Sequence, residues 1–469
     1  MSTAPTAEVS EIDTSARGPL SLLLAFALLW LLVSGVLALA TFAQTISPGF
    51  LAECPFLSYG RAQAMQETAF VYGWVANAGF AVALWLLGRL GGAPLRSLNW
   101  VVAGGLFWNA GVFLGVGAAG IGEAASISFL HLPRSVGLLL LVSAAAIAVP
   151  GIVAWVGRSR PVTFAAQWYA VAALFLFPWI FSAAQVTLLW APARGVLQAV
   201  GAGWFVQSTW TMWIAPLALA AAYYLVPKIT GKTIPSYNFA ALGFWLLLVV
   251  GGWTGGRHLI GGPVPAWVGS LAVVASVLLT FHYLIVAINL SGAYTGGGTV
   301  LTLVAAGLAC YVLGGIADAV TVFRSVAEVT QLTWVTRAQR ELALTGAFSL
   351  TIFGAIYFLV PRLTNRPWPS LPLIRAHFSA SLLGTIALVV GLAAAGFVQS
   401  RDLAHAATPF SDIIAHTRPW LELATAAEVV LLVGNALLAL HFLRAVGSKS
   451  AASESARFRA APAMEVSAS

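Results

Sequence analysis

The sequence predicts an all-α polytopic membrane protein built from twelve transmembrane helices. Of its 469 residues, 60% are hydrophobic and only 8% are charged, whereas a soluble domain typically carries about 25% charged residues. Its 18 Trp and 45 Gly are also typical of a membrane protein, because Trp anchors at membrane interfaces and Gly permits close helix packing. Twelve apolar stretches, each of roughly the 20 residues needed to span a bilayer, follow one another along the chain.

These stretches define one transmembrane domain over residues 18–445. We expect the flanking segments 1–17 and 446–469 to be disordered cytoplasmic tails, because they are rich in Ala, Ser and charged residues. The first stretch is not expected to be a cleaved signal peptide, since it is long and follows an acidic flank. The loops are short and leave no room for an inserted soluble domain. The predicted spans cover residues 19–45, 68–90, 98–121, 133–156, 163–191, 199–226, 238–256, 264–291, 299–323, 341–361, 377–399 and 419–443.

The basic residues predict a bacterial inner-membrane protein with both termini in the cytoplasm. An even number of spans places both termini on one face, and that face then holds 14 of the 23 Lys and Arg. The net charge of +8 is explained by this topology, so the expected partner is membrane lipid and not nucleic acid. The inner residues are Arg17, Arg89, Arg96, Arg158, Arg160, Lys228, Lys232, Arg362, Arg366, Arg375, Arg444, Lys449, Arg457 and Arg459.

The two cysteines predict neither a disulfide nor a covalently attached haem. Cys54 precedes the second span, on the outer side, whereas Cys310 falls inside the ninth span. Because this places them at different depths, they cannot reach the separation that a disulfide requires. The sequence has no Cys-X-X-Cys-His motif, so no c-type haem is expected.

Two spans end in a similar motif of aromatic residues, proline and a cation. Tyr223–Lys228 reads Tyr-Tyr-Leu-Val-Pro-Lys at the end of the sixth span, and Tyr357–Arg362 reads Tyr-Phe-Leu-Val-Pro-Arg at the end of the tenth. We expect the aromatic residues to lie at the inner interface, the proline to end each helix, and the cation to follow it. Membrane anchoring and a distant internal repeat would both account for the similarity.

These motifs resemble subunit I of the cbb-type haem–copper oxidases. Tyr72–Phe80 in the second span, Phe107–Val112 in the third and Gly255–Leu259 in the seventh are similar to the same family. The resemblance covers roughly residues 20–445 and implies a twelve-helix bundle. In that family the bundle reduces dioxygen with two haems and one copper, which six histidines hold between them, because imidazole suits iron and copper.

At the places that the resemblance assigns to these ligands, five of six residues are not histidine. Glutamine is a poor haem ligand, and arginine stays protonated in proteins. We therefore expect no catalytic residue, no metal and no cofactor, with haem b and copper present only if the chain is an unusual catalytic member. The assigned places are Gln66, Gln207, Arg257, His258, Gln339 and Glu341, and Gly251 stands where the family has a tyrosine.

The replaced positions predict a polar cluster in the outer half of the bundle, where the second, sixth, seventh and tenth spans meet. A bare charge in the membrane costs about 2.5–3.5 kcal/mol on insertion scales, which favours ion pairs. We predict that Arg257 or Arg340 pairs with Glu341 or Glu67. The cluster either lines a pocket open to the outer face or fills a collapsed site. Its predicted members are Glu67, Arg257, Arg337, Arg340 and Glu341.

Two further polar residues lie inside apolar spans. His282 falls in the eighth span and Asp318 in the ninth. A buried polar group in the membrane needs a partner, so we expect His282 to bind a backbone carbonyl and Asp318 to be a hydrogen-bonded structural residue. The remaining histidines outside the assigned places are expected to be interfacial or packed.

Three functions are compatible with this sequence. The first is a non-catalytic relative of oxidase subunit I, acting as a structural, assembly or regulatory partner of respiratory oxidase subunits. The second is a terminal cytochrome c oxidase or nitric oxide reductase with unusual ligands. The third is a solute or ion transporter that uses the vacated cavity. Fold alone does not choose among them.

Overall fold

The structure, a computed structural model, describes residues 4–447, with side chains from residue 11 onward. In this part of the chain there is no strand, and twelve helices are long and apolar enough to cross a membrane, which confirms the predicted fold class. Residues 448–469 of the predicted C-terminal tail lie outside it. In chain order the helices are α1 (Ala4–Ile46), α2 (Tyr59–Gly91), α3 (Leu98–Ile121), α4 (Arg134–Val156), α5 (Ala165–Trp190), α6 (Val196–Thr230), α7 (Tyr237–Leu259), α8 (Ala266–Asn289), α9 (Thr299–Thr321), α10 (Trp334–Thr364), α11 (Leu371–Leu403) and α12 (Phe410–Gly447).

The N-terminal segment is helical, so the disordered tail predicted over 1–17 is wrong from Ala4 onward. The reason is a set of contacts that tie this segment to the end of α2. The Asp13 carboxylate accepts a hydrogen bond from Trp85 Nε1 at 2.9 Å and forms an ion pair with Arg89 at 3.0 Å. These partners stabilise a segment whose composition alone predicts disorder.

The two prolines of the shared motif do not end their helices. Pro227 and Pro361 lie within the last turns of α6 and α10, and the helices stop only at Gly231 and Asn365, whose φ angles are +68° and +51°. The prediction was wrong because a proline removes one hydrogen bond, and another donor can replace it. Near Pro361 the indole of Trp368 donates to the Tyr357 carbonyl at 2.9 Å.

The aromatic residues of this motif are buried inside the bundle. Tyr223, Tyr224 and Tyr357 are all buried in the bundle. Tyr224 of the first motif packs edge-on against Phe358 of the second motif, with ring centroids 5.9 Å apart. The two motifs therefore contribute to the packing between α6 and α10, in addition to any role near the membrane interface.

Helices α2, α6 and α10 form the centre of the bundle. Their most apolar windows are 100%, 83% and 89% buried, against 39–50% for the other nine helices. A helix that is buried all round lies in a protein core, whereas a half-buried helix faces lipid on one side. The three central helices carry Gln66, Gln207 and Gln339, so the fold directs these predicted site residues away from lipid.

Four segments of π-helix lie beside the predicted site residues. A π-turn inserts an extra residue into a helix and is found frequently at functional sites. Here each π-segment begins or ends within three residues of a position that the sequence assigned to the site. The segments are Ala69–Val75 in α2, Trp210–Ile214 in α6, Leu246–Val250 in α7 and Leu342–Leu350 in α10.

Candidate functional site

A cavity of about 790 Å³ lies between α2, α6, α7, α9 and α10 and is partly open to its surroundings. We call it the outer cavity. Most of the predicted site residues line it, as the sequence predicted from the meeting of these helices. The charged and polar residues at its wall include Gln207, Arg257, His258, Asp318, Arg337, Gln339 and Arg340.

Arg257 forms an ion pair with Asp318 of α9. Gln339 Nε2 donates to the same carboxylate at 3.1 Å and to Thr321 Oγ1 at 2.8 Å. Of the two arginines named in the prediction, Arg257 pairs with neither Glu67 nor Glu341, because other arginines already pair with both of those carboxylates. Asp318 is hydrogen-bonded, as expected, but it also supplies the counter-charge for the guanidinium.

Arg340 pairs with Glu67 at 2.9 Å, which is one of the predicted ion pairs. Glu67 is buried, and its other oxygen accepts the backbone N–H of Phe129 and lies 3.4 Å from His131 Nε2. The other ring nitrogen of His131 lies 2.8 Å from the Ala125 carbonyl. Burial lowers the pKa of His131, but the hydrogen bond with Glu67 and its negative charge together raise that pKa above its ordinary value. Sequence reasoning did not connect this loop histidine with the cluster.

Arg337 pairs with Glu341 one turn further along α10, at 2.9 Å. The second oxygen of Glu341 accepts a hydrogen bond from Thr345 Oγ1 at 2.8 Å, and the Arg337 guanidinium lies 5.3 Å from the centre of the Phe42 ring. All five residues of the predicted polar cluster are thus in ion pairs, and none of their arginines is left without a carboxylate.

A second cavity, which we call the inner cavity, has a volume of about 40 Å³. Gln66 and Glu67 of α2 line it, together with Arg340 and Glu341 of α10. A buried water needs about 10–15 Å³ on this measure, so the space holds a few waters. It is far below the roughly 300 Å³ of the smallest pockets for organic ligands, which agrees with a largely collapsed space beside Gln66.

Helices α6 and α7 approach each other closely beside the outer cavity. A Cβ atom added at Gly251 would lie 2.6 Å from the Thr211 Cβ, and one at Gly255 would lie 2.4 Å from the Gly203 carbonyl oxygen. Both distances are too short for real atoms, so these two positions require glycine in this packing. Gly251 stands where the resemblance assigned a tyrosine. Residues of α6 therefore occupy the space that a side chain at this position would need.

The seven histidines all lie in the described part of the chain, and they are dispersed. His282 contacts the Gly243 carbonyl at 2.7 Å, as predicted, and also the Tyr311 hydroxyl at 2.8 Å. His258 is the one that lines the outer cavity, and its Nε2 accepts from Arg257 Nε at 3.1 Å. Among residues 4–447 no three His, Cys, Asp or Glu side chains converge in a way that could hold a metal ion. Both cysteines are free, as predicted.

Glu428 of α12 is a functional candidate that sequence reasoning missed. It is buried about midway along the helix and faces the inner cavity. The sequence does contain a signal for it, namely a single carboxylate inside an apolar span. Such residues are rare in a membrane and are often functional. Tyr311 was also missed, although a buried tyrosine in a span implies a hydrogen-bond partner for its hydroxyl.

The twelve-helix bundle and its buried polar centre are those of a multi-pass membrane protein. The family model for cytochrome c and quinol oxidase polypeptide I matches residues 19–430. The chain belongs to this family, the haem–copper oxidase subunit I family, as its motifs predicted.

Characterised relatives support the same assignment. The chain is 23% identical over 427 residues to cytochrome c oxidase subunit 1 of Rhodobacter capsulatus, covering 84% of this chain and 78% of the relative. It is 22% identical over 383 residues to the cbb3-type cytochrome c oxidase subunit CcoN1 of Stutzerimonas stutzeri, covering 79% of this chain and 81% of the relative. A solved haem–copper terminal oxidase dimer has the same fold, with a TM-score of 0.69, 15% identity, and 96% of this chain and 85% of that chain covered.

The residues around the two cavities do not fit the haems and copper that the family implies. Haem and copper need several neutral imidazoles directed at one point, whereas the outer cavity offers His258 alone, and a guanidinium donates to its Nε2. Gln66 faces a space of about 40 Å³. We therefore derive no chemical step through a haem or a copper ion in this chain.

Proposed function

We propose that this protein is a non-catalytic member of the family, acting as a structural, assembly or regulatory partner of respiratory oxidase subunits in a bacterial inner membrane. One observation carries the proposal: side chains at the assigned ligand places, or beside them, are engaged in ion pairs with each other. Arg257 is bound to Asp318, and Gln339 donates to the same carboxylate. Arg340, between two assigned places, is bound to Glu67. An arginine remains protonated, so these groups repel a metal ion where the family would bind one.

The haem and copper content of the purified full-length protein tests this proposal. We expect far less than one b-type haem and one copper per chain, and no consumption of oxygen or nitric oxide with reduced electron donors. The control is the catalytic subunit of a cbb-type oxidase, expressed and purified in the same host. Stoichiometric haem with the spectrum of two axial imidazoles would overturn the proposal and favour an oxidase or nitric oxide reductase with unusual ligands.

Co-purification tests the partner role. A tagged chain isolated from its native membranes in mild detergent should retain subunits of a respiratory oxidase at a fixed ratio. The control is another multi-pass protein of the same membranes carrying the same tag. An isolated chain with no enriched oxidase subunit, or a deletion strain with normal oxidase content and activity, would contradict the partner role.

The proposed orientation places both termini in the cytoplasm, in accord with the excess of basic residues on that face. A reporter protein that fluoresces only in the cytoplasm should be fluorescent when fused after residue 447. Alkaline phosphatase, which is active only outside, should be active when fused after Gly122 in the loop between α3 and α4. The reverse pattern would show that the topology is inverted.

Passage or binding of a solute through the outer cavity is a second candidate function. The observation in its favour is the volume of about 790 Å³, which lies in the range of about 300–1,000 Å³ typical of ligand pockets. Arg257→Ala and Asp318→Ala, both at the wall of the outer cavity, should then abolish flux in vesicles that contain equal amounts of folded protein. Unchanged flux in both variants would exclude the outer cavity as the pathway.

A further inference from the structure

The inner cavity holds one carboxylate without a partner. Glu428 is only 7% exposed, and no hydrogen bond or ion pair joins it to any residue that the structure describes. It lies near the middle of α12, at the depth where a bare charge is most costly. Something must therefore neutralise this group.

The charges around the inner cavity leave an excess of one negative charge. Three carboxylates line it, but Glu67 is paired with Arg340 and Glu341 is paired with Arg337. Neither arginine forms an ion pair with Glu428, although Arg340 lines the same cavity. Glu428 is thus the carboxylate whose charge remains uncompensated among the described residues.

Neutral oxygen atoms complete the wall next to Glu428. Asn435 Oδ1 and Thr385 Oγ1 are buried, and neither has a hydrogen-bond partner in the structure. An amide oxygen accepts hydrogen bonds and binds cations but cannot donate, so the bare Asn435 oxygen is available to bind a cation. Asn435 lies two helical turns after Glu428 on the same helix face, and Thr385 comes from the neighbouring α11.

We propose that the inner cavity is a binding site for one monovalent hard cation, with Na⁺ as its probe. Glu428, Asn435 and Thr385 supply the oxygen ligands, and water completes the shell. Oxygen donors favour hard cations over iron, copper or zinc. A single excess negative charge matches a monovalent ion, whereas a divalent ion would leave a positive charge buried in the membrane. A volume of about 40 Å³ accommodates such an ion with one or two waters. This site is independent of the proposed partner role.

Binding of radioactive ²²Na⁺ to the purified full-length protein in nanodiscs tests the proposal. We expect saturable binding of one Na⁺ per chain, and a melting temperature that is higher in NaCl than in choline chloride at equal ionic strength. Glu428→Gln should abolish saturable binding. Because that change also removes the excess charge, the variant should fold, and its melting temperature should be the same in both salts.

Two further sets of variants make the result specific to this site. Asn435→Leu and Thr385→Val should each raise the Kd for Na⁺ at least tenfold while leaving Glu428 in place. Glu422→Gln is the matched control, because Glu422 lies on the same helix but is half-exposed and pairs with Arg418. Its Na⁺ affinity should equal that of the parent chain.

Three results would overturn the proposal. The first is no saturable ²²Na⁺ binding at any concentration. The second is equal binding by the parent chain and Glu428→Gln. The third is stabilisation of the parent chain by acid, with no response to Na⁺, which would mean that a proton alone neutralises Glu428.

Discussion

The outer and inner cavities are neighbours, and Arg340 lines both, yet they differ in charge balance and in size. The outer cavity is large and partly open, and its Arg257 is matched by Asp318. The inner cavity is much smaller, and it contains Glu428 without a partner. The two cavities thus differ in whether each charged group at the wall has an opposite charge beside it.

The ion pairs at the two cavities should also differ in how much the free energy of unfolding falls when one partner is removed. The Glu67 side chain is only 4% exposed, less than the 15% and 17% of Arg257 and Asp318, although its partner Arg340 is 24% exposed. Removing one partner of a buried pair leaves an uncompensated charge and costs far more than the pair itself contributes. Near water the remaining charge can be solvated, and the loss is smaller.

Removal of the Glu67 carboxylate should have the largest effect. Glu67→Ala leaves the Arg340 guanidinium and the Phe129 amide without their acceptor. Since breaking a buried ion pair costs about 3–5 kcal/mol, the free energy of unfolding should fall by that amount. Denaturant unfolding of the protein in detergent micelles measures it.

A double-mutant cycle provides the control for this effect. Adding Arg340→Met to Glu67→Ala removes the uncompensated charge, so the double variant should regain at least about 1 kcal/mol relative to additivity. Strict additivity of the two single effects would show that the pair observed at 2.9 Å contributes nothing to the fold.

Removal of Arg257 should have a smaller effect, because Asp318 keeps the Gln339 donor and is more exposed than Glu67. Arg257→Leu leaves Asp318 with the Gln339 donor as a partner. Hydrogen bonds to charged groups contribute about 1.5–3 kcal/mol, so we expect a loss of about 2 kcal/mol in the free energy of unfolding. If Arg257→Leu is as damaging as Glu67→Ala, the greater exposure of Asp318 does not reduce the cost of removing its partner.

Much of this architecture could be predicted from the sequence. The twelve spans follow from hydropathy, which reports directly on the cost of placing side chains in lipid. The convergence of Gln207, Arg257, Gln339 and Arg340 follows from the ends of the spans that carry them. The pair of Arg340 with Glu67 follows from the cost of a bare charge in the membrane.

Other features could not be predicted, because they depend on which helix faces which. Arg257 has three carboxylates on nearby spans, and only the packing of α7 against its neighbours selects Asp318. The helices continue past Pro227 and Pro361, where a proline usually ends them, and at Pro361 the indole of Trp368 donates to the Tyr357 carbonyl. The isolation of Glu428 is likewise a property of its surroundings and is not visible along the chain.

Addition of one methyl group at Gly251 should test the closed packing of α6 and α7. In Gly251→Ala the new Cβ would lie 2.6 Å from the Thr211 Cβ, so the two helices must move apart. Overpacking of this kind costs about 1–3 kcal/mol. Gly117→Ala is the matched control, since a Cβ there meets nothing within 4 Å, and it should be neutral or slightly stabilising. Equal thermal stability of the two variants would refute the close contact.

The smallest expected effect concerns His131, which links the loop between α3 and α4 to Glu67. Because its pKa is raised in the folded protein, protonated His131 stabilises the fold fully below the ordinary histidine pKa of about 6.5. That stabilisation is lost as the pH rises through the higher folded value. His131→Gln should therefore lower the melting temperature at pH 5.5, by the equivalent of about 0.5–1 kcal/mol, and have little effect at pH 8.5.

His405→Gln is the control, because His405 is exposed and its side chain contacts only the Arg401 carbonyl. A pH profile that His131→Gln leaves unchanged would mean that Arg340 alone balances the charge of Glu67.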